Sequence, residues 1–334
     1  MTDVLNAIVL FANFVFLPGL AYGAQLALGA LGVTLVFGIL RFANFAHGDL
    51  MAFGTMVTIL VTWWMQEAGI TFGPVPTALL AMPVGILAAI AIALFTDRAV
   101  FRFYRVKRAA PIVLVMASVG VMFMLNGIVR LIIGPDDQRF ADGERFLITV
   151  RGFREATGLD EGLALRVPVA ITVVVAVVVV VALFLFLQRS RMGKAMRAYS
   201  DNEDLALLSG ISPDKVVAVT WIIAASLATI AGVLYGLDKS FRPFTYFQLL
   251  LPIFAAAIVG GIGQPLGAIA GGFVVAFSEM TLTYAYKRFL EYFGFAPDGL
   301  VQLLSTEYKF AISFVILVLV LLIRPTGIFK GRVL

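Results

Sequence analysis

Long apolar runs separated by short polar loops dominate the chain. Several runs reach about 18–22 residues, enough to cross a hydrocarbon core of about 30 Å. Candidate spans are Leu20–Leu40, Phe42–Met65, Thr77–Thr96, Pro111–Ile133, Val167–Leu187, Val216–Leu237, an interrupted stretch Leu249–Tyr286, and Phe310–Ile323. The runs are continuous, as in Val173–Val181, whereas a membrane β-barrel shows alternating segments of about 10 residues. The pattern predicts an all-α, polytopic transmembrane helical bundle of about eight spans, a single transmembrane domain over residues 1–334. The first apolar piece, Val4–Leu17, is short and stops at Pro18-Gly19, which predicts an interfacial or partly embedded helix.

Loop charge sets the expected topology. The loop Asp97–Arg108 carries Arg98, Arg102, Arg105, Lys107 and Arg108 against one acid, so it belongs in the cytoplasm. The loop Gly134–Arg166 mixes both signs with an acidic excess and belongs outside. Gln188–Lys215 carries Arg189, Arg191, Lys194, Arg197 and Lys215 and returns inside, as does the tail with Arg324, Lys330 and Arg332. Parity then requires Leu249–Tyr286 to cross an even number of times or to re-enter and return. Its centre, Gly260-Gly261-Ile262-Gly263-Gln264-Pro265-Leu266-Gly267, is a Gly/Pro cluster that breaks a long helix. Two readings stand. One is a pathway-lining break, since non-helical backbone at membrane depth survives only when buried in protein or lining a wet cavity. The other is a plain turn between two short spans.

The polar island between Val167–Leu187 and Val216–Leu237 is longer than a reversal of chain direction needs. Met192, Ala195, Met196 and Tyr199 recur at helical spacing and share a face. Leu205 and Leu208 continue an apolar stripe, with Asp201, Asn202, Glu203 and Asp204 at polar positions. Gly210 supplies a left-handed stop and Ser212-Pro213 starts the next helix. The island reads as a short helical hairpin whose apolar face wants a groove on a partner, or alternatively a membrane surface.

Composition narrows the classes. The chain is 61% hydrophobic and 13% charged, against about half and a quarter in soluble domains. The net charge of +5 lies in loops beside spans, a topology signal rather than a nucleic-acid footprint. There is no cysteine, and His47 is the single histidine, so no metal site is expected. No basic leader with a small-residue cleavage site opens the chain, so no cleaved signal peptide is expected. The nearest echo of a P-loop, Gly236-Leu237-Asp238-Lys239-Ser240, has the wrong spacing. No paired carboxylates or nucleophile–base sets occur in the spans, so the chain does not read as an enzyme.

Two further polar features fall at spans. Asn44-Phe45-Ala46-His47-Gly48-Asp49 sits at the Leu40/Phe42 junction, near the cytoplasmic face in this topology. Asn44 is placed to cap the second helix with His47 and Asp49 in its first turn; the other reading is a polar gate at the inner mouth of a pathway. Glu279 lies inside the apolar run Ala268–Tyr284, where an ionisable group is costly and faces a bundle interior or cavity. It reads as a pathway or inter-subunit residue, against the alternative of a glutamate near the interface. Asn126 reads as an interhelical hydrogen-bonding residue.

These segments also carry a resemblance. The island, the Asn44–Asp49 motif, the run Gly260-Gly261-Ile262-Gly263 with Pro265-Leu266-Gly267-Ala268, Ser305-Thr306-Glu307-Tyr308-Lys309 and Arg324-Pro325-Thr326-Gly327-Ile328 resemble the corresponding segments of branched-chain amino acid ABC transporter permeases of the LivH/LivM type. The similarity runs from Leu20 to Ile328, with Gly134–Arg166 as a departure. It implies the inner-membrane translocation subunit of a binding-protein-dependent importer. Two ABC ATPase subunits would dock on residues 188–215, a homologous permease would pair with this chain, and an extracytoplasmic binding protein would deliver solute. No cofactor would be bound here; ATP and Mg would belong to the partners. The implied solutes are branched-chain or other hydrophobic amino acids, with urea and short amides as the alternative within the family. Asn44, His47, Gly48, Asp49, Gly261, Gly263, Pro265 and Glu279 are candidates for the pathway or gate, and Met192, Ala195, Met196, Tyr199, Asp201, Asn202, Glu203, Asp204, Leu205, Leu208 and Gly210 for ATPase coupling. An ion-coupled carrier is the alternative from another class. It calls for ion sites in two related halves, and the N-terminal half offers no counterpart of Glu279.

Overall fold

A computed structural model describes residues 2–295, 297, 299, 301–324 and 326–329. Pro325, Lys330 and Arg332 lie outside the described residues. Among those described, nine helices are long and apolar enough to cross a membrane.

The first is α1, Thr2–Leu40, an uninterrupted 39 residues, or about 58 Å at about 1.5 Å per residue. The expected stop at Pro18-Gly19 does not occur. Proline lacks an N–H and its ring crowds the carbonyl four residues back. A π turn at Ala12–Phe16, closed by the Leu17 amide on the Ala12 carbonyl, widens the helix just before Pro18 and lets it continue. The extra length projects past the bundle, where Asn6 donates to Asp160 at 3.3 Å and accepts from the Glu161 amide at 3.2 Å. The start of the chain therefore lies on the side of residues 134–166.

The other long helices are α2 (His47–Glu67), α3 (Ala78–Val106), α4 (Pro111–Ile133), α6 (Val167–Arg189), α9 (Pro213–Asp238), α10 (Pro243–Gly260), α11 (Pro265–Thr283) and α13 (Thr306–Ile323). Short helices α5 (Val150–Thr157) and α12 (Lys287–Glu291) lie in loops, and α7 (Arg191–Asp201) and α8 (Glu203–Leu208) form the polar island. A small antiparallel pair, β1 (Phe146–Ile148) with β2 (Leu165–Arg166), closes the external loop. The central parts of α1 and α9 are buried almost all round, with α2, α3, α10 and α11 against them. Their hydrophobic residues face protein rather than lipid, so close packing of small residues holds the centre together.

Each end of the bundle is stitched by its own polar contacts. At one end Arg102 pairs with Asp214 at 3.1 Å and Arg105 with Asp97 at 2.8 Å. At the other, Arg166 pairs with Asp238 and Arg288 with Glu161, both at 2.8 Å. The first end carries the basic loops and is the end that the positive-inside rule assigns to the cytoplasm.

The interrupted stretch is a hairpin of two spans, which satisfies the parity requirement and raises the count to nine. Helices α10 and α11 are joined by Gly261–Gln264, where Gly261 (φ 109°) and Gly263 (φ 85°) take backbone conformations that suit glycine. The tail seals this turn: the amides of Ile328 and Phe329 donate to the carbonyls of Val259 and Gly260 at 2.9 and 3.1 Å. Since α13 ends at the cytoplasmic side, the turn does too. The Gly/Pro break is thus a turn between two spans, as the plainer reading had it.

Candidate functional site

The island folds as the expected helical hairpin, with each half capped locally. The Ser190 side chain accepts from the Gly193 amide at 2.8 Å, and Asn202 from the Leu205 amide at 3.0 Å. Tyr199 donates to Glu203 at 2.6 Å, tying the two helices together. Burial, and then this bond to a carboxylate, push the Tyr199 hydroxyl pKa above its ordinary value.

The apolar face does not point where the sequence pattern implied. Met196 and Tyr199 are buried in this chain's own bundle, and Met192 and Ala195 are partly packed against it. The reason is Gly193, whose missing side chain lets α7 lie directly on the Phe186 and Leu187 backbone. The apolar side chains left outside belong to α8: Leu205 is 61% and Leu208 87% exposed. Asp201, Glu203 and Asp204 are exposed beside them, and Gly210 (φ 80°) turns the chain into α9.

Helix α7 is clamped to the end of α1. Ser200 Oγ donates to the Gly38 carbonyl at 3.1 Å, and the Arg41 guanidinium donates to the Ser200 carbonyl. Arg41 takes a left-handed conformation (φ 59°) that ends α1. From it, residues 42–46 run without regular structure to α2. Phe42 rests on Phe101 (ring centroids 5.3 Å apart), which stacks on Trp221 at 5.4 Å. The Trp221 indole N–H donates to Asp97 at 2.9 Å. Further along, the Phe45 amide donates to Ser118 Oγ at 3.1 Å. Irregular backbone is tolerated at such depth because protein surrounds it.

This segment carries the Asn44–Asp49 motif away from the cytoplasmic edge, where the sequence reading put it. His47 is fully buried against Gly32, where an added Cβ would stand 2.6 Å from the imidazole Cε1. Gly32 lies eight residues before Leu40, about 12 Å up the helix. The motif is therefore inside the bundle, because the chain leaves the helical path at residues 42–46 and turns back along α1. Gly48 faces the Tyr246 carbonyl on α10 with no room for a side chain. Asn44 does not cap α2; its Oδ1 accepts from the Ala46 amide at 3.1 Å, and the helix has no side-chain cap. Asp49 is fully buried and accepts from Asn126 Nδ2 at 2.7 Å. Its other oxygen and both His47 ring nitrogens make no hydrogen bond among the described residues.

Gly263 and Pro265 meet the coupling hairpin. With Gly38, Met196 and Ser200 they line a cavity of about 290 Å³ at the cytoplasmic end. Glu279 is separate from this group. It is buried one turn from the outer end of α11, accepting from Ser313 on α13 and facing Tyr22 on α1. Its surroundings are the chain's own helices. Arg41, Ser200, Gly32 and Ser118 are site residues that the sequence reading missed. Arg41, Ser200 and Ser118 contact partners some 70 to 160 positions away, and Gly32 meets His47 across the irregular segment, contacts that no local pattern announces.

The geometry describes a bundle with a helical hairpin at its basic end tied to a buried irregular segment. The profile of the family "Branched-chain amino acid transport system / permease component" matches residues 15–321. The chain belongs to that family. It is 32% identical over 323 residues to the high-affinity branched-chain amino acid transport system permease protein LivH of Salmonella typhimurium, covering 93% of this chain and 92% of the relative. LivH of Escherichia coli K12 is also 32% identical, over 315 residues with the same coverage. BraD of Pseudomonas aeruginosa is 29% identical over 314 residues, covering 93% of each chain. As a family permease the chain is a multi-pass membrane transport subunit of an ABC importer and not an enzyme.

Proposed function

We propose that this permease moves branched-chain or similar hydrophobic amino acids across the inner membrane, driven by ABC ATPase subunits that grip α8. A homologous permease would complete the pathway, and an extracytoplasmic binding protein would deliver solute to the end carrying residues 134–166. ATP and Mg belong to the ATPases, and no step of their chemistry occurs on this chain.

The observation that carries the reading is the clamp of Ser200 on Gly38 and Arg41 on Ser200. A push on α8 reaches α7 through Tyr199–Glu203 and then the end of α1 through the clamp. Arg41 begins the segment that holds His47 and Asp49 inside the bundle, so displacement of α7 repositions buried polar groups about 12 Å away. Leu205 and Leu208 supply an apolar knob, and their exposed acidic neighbours suit a basic rim on the ATPase. Candidate gate residues are Asn44, His47, Gly48 and Asp49; Gly261, Gly263 and Pro265 form the bearing on which α7 moves.

The test is Arg41→Ala combined with Ser200→Ala in the assembled transporter. ATPase subunits should still co-purify, while ATP-driven leucine uptake falls about tenfold, the loss of roughly 1.4 kcal/mol of coupling. Unchanged uptake per ATP hydrolysed contradicts the proposal. Asp49→Ala should likewise impair uptake with assembly intact; normal uptake would leave Asp49 a packing residue only.

A further inference from the structure

A groove on the outside of the bundle has no part in the coupling route. It lies where the end of α3 meets the start of α9, at the end that the positive-inside rule assigns to the cytoplasm. It encloses about 610 Å³, within the range of ligand sites. Its floor is apolar, made by Ala91, Phe95 and Ala218. Ala91 and Phe95 are exposed, so the groove opens sideways, where a spanning helix meets lipid. Arg98 and Arg102 stand above this floor. Ala91, Phe95, Arg98 and Arg102 follow one another at spacings of three and four, along one helix face. The two arginines are about 6 Å apart along α3. That is about the depth of one headgroup layer, since a bilayer exceeds its hydrocarbon core by about 10–15 Å in all.

Two acids also line the groove, and each already has its cation. Asp97 accepts from Arg105 at 2.8 and 3.3 Å and from the Trp221 indole at 2.9 Å. Asp214, in the first turn of α9, pairs with Arg102 at 3.1 Å, and Arg105 lies 3.9 Å from its other oxygen. Arg98 is exposed and makes no ion pair among the described residues. Three guanidiniums thus face two carboxylates, and the surplus charge sits on Arg98 at the rim. The Arg102 and Asp214 side chains are 47% and 62% exposed. A pair so open to water adds little, so Arg102 can share a second anion.

We propose that this groove holds the headgroup of one anionic phospholipid of the inner leaflet, and that the bound lipid steadies the joint between α8 and α9. Guanidinium N–H groups suit phosphate oxygens, Arg98 supplies the uncompensated charge, and the floor takes the first carbons of an acyl chain. The floor decides for a lipid over a free phosphate, which has no use for an apolar surface on the bilayer side. Basic pockets between spanning helices at the cytoplasmic side are suited to anionic headgroups. Through Arg102 the lipid reaches Asp214, six positions after Leu208 ends α8. Binding stands on the groove alone; the effect on transport rests on the reading of α8 as the driven element.

The test has two arms on the complete transporter. In the first, delipidated transporter in detergent is titrated with phosphatidylglycerol, and bound lipid is counted by native mass spectrometry in wild type, Arg98→Gln and Ala91→Trp. Both positions are exposed, so the fold is not at risk. Arg98→Gln removes the surplus charge, and Ala91→Trp fills the floor without changing charge. Each should carry one fewer tightly held phosphatidylglycerol per copy of this chain, about a tenfold loss of affinity at that site. Phosphatidylcholine with the same acyl chains and no net charge should not take its place in wild type, and inorganic phosphate should not displace it. Equal phosphatidylglycerol in wild type and either variant, no preference over phosphatidylcholine, or displacement by phosphate overturns the site. In the second arm, ATP-driven leucine uptake is compared in vesicles with and without phosphatidylglycerol. The lipid should speed wild type several-fold and Arg98→Gln much less. Lipid that binds without changing uptake, or Arg98→Gln responding as fully as wild type, overturns the steadying role. Failure of the coupling reading appears separately, as uptake indifferent to Arg41 and Ser200.

Discussion

At the residue scale the site depends on how closely His47 approaches α1. Gly32→Ala would force the imidazole out of its place, and overpacking a close-packed site costs about 1–3 kcal/mol. The variant should lower the thermal unfolding midpoint and impair uptake, and adding His47→Ala should restore the midpoint by opening the space. A double variant no more stable than Gly32→Ala alone would show that the two residues do not meet. Asp142, in the external loop, makes a second test. It accepts from the Thr77 amide at 2.7 Å and from Gln66 at 3.0 Å. Burial acts to raise its carboxyl pKa, but these donors outweigh it and hold the group below its ordinary value. A depressed folded value means that the tether stabilises fully above the unfolded value of about 3.9 and is lost only as pH falls through the lower folded one. The stabilisation that Asp142→Asn removes should therefore be constant from about pH 8 to pH 5, read as the difference in unfolding midpoint from wild type. A difference that shrinks between those values contradicts the assignment.

At the scale of elements, the two halves of the hairpin proposed for coupling face different ways. Helix α7 packs inward through Met196 and Tyr199, while α8 presents Leu205 and Leu208 outward. Leu208→Glu should abolish co-purification of the ATPase and leave the permease folded, since Leu208 is almost wholly exposed. Met196→Glu should instead destabilise the permease itself, because it buries an unpaired charge. Stable association of the ATPase with the Leu208→Glu chain would contradict the docking role. The hairpin was legible in the sequence because Gly210 and Pro213 act on neighbours within a few positions; the Ser190 and Asn202 caps came with the structure. Which face is free was not legible. Gly193 settles that by contact with Leu187, and a helical repeat cannot say which of two apolar surfaces finds its groove within the same chain. The same limit applies to Pro18, read as a stop although the preceding π turn absorbs it.

At the scale of the whole molecule, apolar periodicity was enough for the bundle, and loop charge for which loops share an end. The even crossing of Leu249–Tyr286 followed from charge on either side of it. The depth of Asn44–Asp49 did not follow, because it depends on residues 42–46 running back along α1, held by Phe101, Ser118 and Trp221 from distant segments. The outcome is one frame in which an intracellular handle connects to a buried polar motif through a single irregular strand of chain. In the function proposed above, transport energy enters at that handle and passes through the clamp.

The absence of native cysteine makes the most direct measurement clean. Leu208→Cys is introduced alone and treated, in oriented vesicles holding the assembled transporter, with a cross-linker that reacts with a thiol at one end and an amine at the other. The account predicts a product joining this chain to the ATPase subunit, formed from the cytoplasmic side and blocked by a permeant but not an impermeant thiol reagent added outside. Protection by the impermeant reagent, or cross-linking to every neighbour except the ATPase, would contradict it.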